Sequence, residues 1–174
     1  LPKANARIET DLMYRHWDSW SDYSYSHIFV APIQNGKMTA GTDIMPGERF
    51  DSPMLPWGGM EQICWSPDGT RIAYTCKKLV GKAYSLSTNS EIYLYNLEDK
   101  TISNLSYGNR GYDQDPVFSP DGKKIVWRSM ERDGFEADKD RIMICDMQSK
   151  TYSDYSAGFD QNAASFAWSS DSKL

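Results

Sequence analysis

The 174 residues contain only two histidines, His16 and His27, and three cysteines, Cys64, Cys76 and Cys145, with no C-x-x-C pair among them. Ligands so few and so spaced do not make a structural zinc site, and an odd number of cysteines advertises no disulfide framework. The cysteines read as small buried hydrophobes, which leaves the redox compartment open. No motif calls for a cofactor. There is no Lys/Arg-rich run and the formal net charge is −5, so the electrostatic footprint of a nucleic-acid binder is missing. No apolar run approaches the roughly 20 residues that cross a bilayer, and the opening "LPKANARIET" holds no apolar signal-peptide segment. Neither nucleic acid nor a membrane span is expected. Convincing amphipathic helices are lacking too, which argues against a helical solenoid.

What is present is 40% apolar and 13% aromatic content, enough for a packed core, and a phrase that recurs. "CWSPDGTRIAYTC" (64–76) returns 53 residues later as "VFSPDGKKIVWRS" (117–129) and again as "AWSSDSKL" (167–174). Each letter of the turn contributes separately, since Pro67 presets φ, Asp68 bonds the nearby backbone, and Gly69 accepts positive φ. The flanks are short and rich in β-branched and aromatic residues, so the phrase predicts a hairpin. A second phrase, "EIYLYNLEDKTISNLS" (91–106), returns 50 residues later as "RIMICDMQSKTYSDYS" (141–156). A looser copy, "HIFVAPIQNGKMTAGT" (27–42), carries Asn35-Gly36 as its turn signal.

Four short strands per period of about 50 residues mark a β-propeller. The expected fold is all-β, a partial β-propeller of four-stranded antiparallel blades, about three of them and not closed. Residues 1–44 supply a lead-in and the last strands of a first blade, 61–106 and 115–156 complete blades, and 165–174 the first strand of another. Closed propellers need about four to eight blades. The chain therefore reads as a piece of a longer protein with unpaired edges, at which a second copy can pair edge to edge. Trp65, Phe118 and Trp168, each just before the turn, are expected to share one packing position between blades.

Only the loop between the second and third strands refuses to repeat: "WDSWSDYSYS" (17–26), "KKLVGKAYSLSTNS" (77–90) and "MERDGFEADKD" (130–140). All three leave the same end of their sheets, which makes that face the candidate binding face. Trp17, Trp20 and Tyr23 either line a pocket or pack between blades. Glu131, Asp133, Glu136, Asp138 and Asp140, mixed with Arg132 and Lys139, either hold an amino group by charge-assisted hydrogen bonds or form a solvated loop. "DGFEADKD" does not follow the ligand order of an EF-hand, so no metal is assigned to it.

The repeat "FSPDGKKIVW" is similar to that of TolB-type propellers and of the propeller domains of the prolyl oligopeptidase family of serine peptidases. Taken together, "YRHWDSW", "CKKLVGKAYSLSTNSEIYLYNL" and "MERDGFEADKDRI" resemble the amino-terminal propeller of bacterial dipeptidyl peptidases in that family. The resemblance implies a parent in which a closed propeller caps an α/β-hydrolase domain carrying the Ser-Asp-His triad in a G-x-S-x-G context. This sequence contains no G-x-S-x-G, so no catalytic residue is assigned and the hydrolase domain is a partner absent from this chain. The resemblance further implies peptide substrates, a periplasmic or otherwise exported location with the cytoplasm left open, and a propeller loop whose acids anchor the substrate's amino terminus. On this sequence those acids are Glu131 and Glu136, with Arg132 beside them. The alternative is a TolB-like scaffold that binds protein partners.

Overall fold

The computed structural model describes residues 3–174; the first two residues of the lead-in segment lie outside the described residues. The lead-in forms three small two-stranded antiparallel sheets: β1 (Arg15–His16) with β2 (Ser19–Trp20), β3 (Phe29–Val30) with a later β6, and β4 (Ile33–Gln34) with β5 (Lys37–Met38) across Asn35-Gly36, while β6 is Thr42–Asp43. Two four-stranded antiparallel sheets follow. The first comprises β7 (Ile63–Trp65), β8 (Arg71–Cys76), β9 (Glu91–Asn96) and β10 (Ile102–Asn104), with a short helix α1 (Gly81–Leu86) between β8 and β9. The second comprises β11 (Asp113–Phe118), β12 (Lys124–Ser129), β13 (Arg141–Asp146) and β14 (Tyr152–Asp154). Within each the strands lie side by side in chain order, the open blades that the repeat predicts.

The "SPDG" turns are held by their own side chains. Ser66 Oγ donates to Asp68 Oδ1 at 2.5 Å, Asp68 accepts from Thr70 N at 3.0 Å, and Gly69 takes φ +69°. Ser119 and Asp121 repeat this at 2.7 Å with Gly122 at φ +68°, and Ser169 and Asp171 at 2.6 Å with Ser172 in the glycine position at φ +60°. These bonds to the ionised form, from Ser66 first and then Thr70, bring the Asp68 carboxyl down to about 2. A second device recurs where the last strand of a blade ends. Ser106 Oγ accepts from Ile92 N, and Ser156 Oγ from Ile142 N, each at 3.0 Å. Beside them Leu105 N bonds Ile92 O and Tyr155 N bonds Ile142 O, both at 2.8 Å, and Ile44 N bonds Ile28 O at 3.1 Å in the lead-in. The β3–β6 ladder thus carries the same main-chain bond as the ends of the two four-stranded sheets.

The core lies between sheets. β8 alternates: Ile72, Tyr74 and Cys76 pack with Tyr95 against Ile28, Ile44 and Met45 of the lead-in, while Ala73 turns the other way. On that side Ala73, Ile92, Leu94 and Leu105 meet Phe118, Ile125, Trp127, Met143 and Cys145 of the second sheet. Cys76 and Cys145 are buried, Cys64 is half-buried, and all three are free thiols; burial pushes the Cys76 thiol up to about 12.

Three local features differ from the sequence reading. The helix α1 has six residues, too few for periodicity to register, and tertiary contact holds it: Lys77 Nζ donates to Tyr84 O at 2.7 Å and also to Ser87 O. Residues 165–168 form no strand, because a strand exists only in a ladder and this segment meets β11 through a single bond, Trp168 Nε1 to Val117 O at 3.3 Å. The three aromatics before the turns are not equivalent in burial: Phe118 is 5% exposed, Trp168 half-buried and Trp65 49% exposed. Phe118 is covered by the whole first sheet, with Arg71 over its ring at 5.8 Å, whereas before Trp65 the lead-in supplies only small two-stranded sheets.

Candidate functional site

Loops between second and third strands, and connections from one sheet to the next, emerge at the same end of antiparallel blades. There the segment 77–90 of the first sheet and the loop 130–140 of the second are joined. Asp133 Oδ1 accepts from Ser87 Oγ at 2.7 Å and Thr88 N at 2.8 Å, and Gly134 N donates to Thr88 Oγ1 at 2.9 Å. Burial pushes the Asp133 carboxyl up, but these hydrogen bonds outweigh it and hold the group below the ordinary carboxylate range.

The junction encloses an open cavity of about 560 Å³. Leu79, Ala83 and Leu86, on and beside α1, form one wall. Tyr107 to Arg110, the connection between the sheets, form the opposite wall, with Glu91 at the head of β9 and Asp133 at the rim. Gly108 takes φ +94° in that connection, Asn109 N bonds Ser106 O at 3.0 Å, and Tyr152 Oη donates to Tyr107 O at 3.2 Å, so the wall is fixed from both sheets.

Behind Asn109 lies a buried polar network. Asn109 Nδ2 donates to Asp113 Oδ1 at 2.8 Å and to Ser129 Oγ at 3.0 Å, while Arg141 Nη2 donates to Asn109 Oδ1 at 3.3 Å. Asp113 is fully buried, its second oxygen has no partner among the described residues, and burial pushes its carboxyl up to about 6 against the opposing pull of Asn109 and Trp127.

The residues singled out from the sequence fall in two other places. Arg132 closes its own loop: its backbone N–H donates to Asp138 Oδ2 and its Nε to Asp138 Oδ1, both at 2.8 Å, and its guanidinium lies 4.1 Å from the Phe135 ring. Glu131 and Glu136 are exposed and do not line the cavity; Glu131 Oε2 stands 3.7 Å from Arg141 Nη1. Trp17, Trp20 and Tyr23 do not line it either. Trp17 sits edge-on to Trp57 at 5.1 Å, with both indoles about 70% exposed. Trp20 packs on Tyr14 at 5.8 Å, and Arg7 lies over the Tyr23 ring at 5.0 Å. Glu91, Tyr107 and Asn109 escaped the sequence reading, although "YGNR" (107–110) occupies a connection that must share a face with the variable loops. Among the described residues no three His, Cys, Asp or Glu side chains gather as metal ligands, and no helix is long and apolar enough to cross a membrane.

Fold and site together define an open array of propeller-type blades with a loop-built cavity on one face. No protein-family profile matches the chain. It is 50% identical over 173 residues to dipeptidyl-peptidase 5 of Porphyromonas gingivalis, covering 99% of this chain and 25% of that protein. It is 47% identical over 144 residues to dipeptidyl-peptidase 5 of Porphyromonas endodontalis, covering 83% of this chain and 21% of that protein. A fungal dipeptidyl-peptidase 5, from Arthroderma otae, is 26% identical over 187 residues. The chain is thus a homologue of proteins named dipeptidyl-peptidase 5, and it spans about a quarter of the length of these relatives. Among solved structures, TolB from Acinetobacter baumannii aligns with a TM-score of 0.45 at 17% identity, covering 74% of this chain and 26% of that one.

Proposed function

We propose that this chain is the non-catalytic propeller portion of a serine exopeptidase of the dipeptidyl-peptidase type. In that role it gates the access of peptides to a separate α/β-hydrolase domain and helps anchor their amino termini. The observation that carries the reading is 50% identity along 99% of the chain to a dipeptidyl-peptidase 5. The chemistry of the 130–140 loop fits it. Asp138 occupies the Arg132 guanidinium, which leaves the exposed Glu131 and Glu136 side chains open to an incoming ammonium group. Arg141 at 3.7 Å is a weak competitor for Glu131 at that exposure. A carboxylate held at a set distance from the scissile bond counts residues from the ammonium end, so that short amino-terminal fragments are released. An exported location belongs to the same reading.

The test is steady-state kinetics on the full-length gene product. Glu131→Ala or Glu136→Ala should raise KM about tenfold for unblocked dipeptide substrates, the scale of one charged hydrogen bond, and leave an amino-blocked substrate unaffected. Equal effects on both substrates remove the anchoring role, and a gene product without a hydrolase domain removes the peptidase reading.

A further inference from the structure

We infer that the cavity between α1, the 107–110 connection and the rim residue Asp133 is a binding site for a primary alkylammonium group, either a lysine side chain of a peptide or a free diamine. The inference does not rest on the peptidase reading, since Glu131 and Glu136 take no part in this cavity.

Charge is the first argument. The walls carry two carboxylates, Glu91 and Asp133, against one guanidinium, Arg110. Glu91 is anchored through one oxygen and offers the other. Glu91 Oε2 accepts from Tyr93 Oη at 3.0 Å and from the Asn104 amide, while its Oε1 has no donor among the described residues. Asp133 Oδ1 takes Ser87 and Thr88, and the backbone N–H groups of Asn89 and Gly134 also favour the ionised carboxylate, so Asp133 supplies negative charge at the rim. A site with a spare carboxylate oxygen and a net negative lining selects a ligand that brings N–H donors and positive charge.

Shape is the second. Leu79, Ala83 and Leu86 make an apolar wall on which an alkyl stem can lie, and Leu86 is 67% exposed. The volume of about 560 Å³ falls within the range of roughly 300–1,000 Å³ common to small-ligand sites. The walls are also preformed, because Lys77 clamps α1, Asp133 joins the two loops, and Tyr152 holds Tyr107. Little ordering remains to oppose binding.

Calorimetric titration of the 174-residue chain tests this with four probes: Nα-acetyl-lysine amide, cadaverine, Nα-acetyl-norleucine amide and alanine amide. The two alkylammonium probes should bind; the norleucine derivative, which keeps the stem without the charge, and alanine amide, which has the charge without the stem, should not. Tighter binding of acetyl-lysine amide than of cadaverine assigns the site to a peptide side chain, and the reverse order assigns it to a free diamine. Glu91→Gln should weaken binding about tenfold, the value of a charge-assisted hydrogen bond, and Leu86→Arg should abolish it by placing a cation on the wall. The substituted amide still accepts from Tyr93 and Asn104, and position 86 is exposed, so melting temperatures should stay unchanged. Silence of both alkylammonium probes, equal binding of the norleucine derivative, or unaltered affinity in both variants would overturn the inference.

Discussion

Trp127 Nε1 donates to Asp113 Oδ1 at 2.9 Å, and both side chains are buried where the second sheet meets the first. This bond puts a carboxylate in a place that desolvates it, with Asn109 as the other donor and the second oxygen unpaired. Burial raises the carboxyl from 3.8 to about 6.

Stability should therefore fall as pH rises through about 6. The folded state holds the Asp113 proton up to that pH, while the unfolded chain releases it near 3.8, so the contribution is fully present below 3.8 and lost above 6. A rise from 3.8 to about 6 corresponds to about 3 kcal/mol. Urea midpoints of the native chain should decline between about pH 4 and 6 on this account, whereas Asp113→Asn, whose amide oxygen still accepts from Trp127 and Asn109, should flatten the profile. A variant that declines as steeply as the native chain refutes the assignment.

Ser106→Ala should cost about 1–2 kcal/mol, since it strands the Ile92 N–H that the hydroxyl satisfies at 3.0 Å in a fully buried position. Ser103→Ala, at an exposed position of β10 just before it, should cost less than about 0.5 kcal/mol. Denaturant unfolding of the two variants side by side measures the difference, and equal losses would show that the hydroxyl does not close the blade.

Gly122→Ala isolates backbone strain. A Cβ there meets nothing nearer than Pro67 Cδ at 3.6 Å, an ordinary contact, so the expected loss of about 1–2 kcal/mol comes from φ +68° alone. Ser172→Gly, at φ +60° in the matching turn, should raise stability. Thermal melts decide both, and a neutral Gly122→Ala would mean the turn relaxes.

Phe118→Ala and Trp65→Ala remove aromatics from matching repeat positions, yet the first should cost about 3–5 kcal/mol and the second far less. Phe118 is 5% exposed under the first sheet, and Trp65 is 49% exposed. Similar losses in equilibrium unfolding would contradict the unequal burial.

Turn chemistry was legible because it is local. Ser66, Asp68 and Gly69 bond within one six-residue stretch, so the residues themselves predict the hairpin, and so do Asn35 and Gly36 in the lead-in. Helix α1 was not legible, because its six residues are held by the Lys77 ammonium and not by an amphipathic pattern. Of the loop acids, the sequence marked Asp133 only as one among five; its place at the cavity rim comes from Ser87 and Thr88, 46 and 45 residues away.

The order of residues alone determined the repeating four-stranded unit, because alternation along a strand and the φ demands of a tight turn depend on neighbours in the chain. Only tertiary structure decided which of two matching positions is buried, as with Phe118 and Trp65, and which carboxyl is stripped of water, as with Asp113. Burial and dielectric are properties of what packs alongside, and here that is the next sheet, about 50 residues away along the chain.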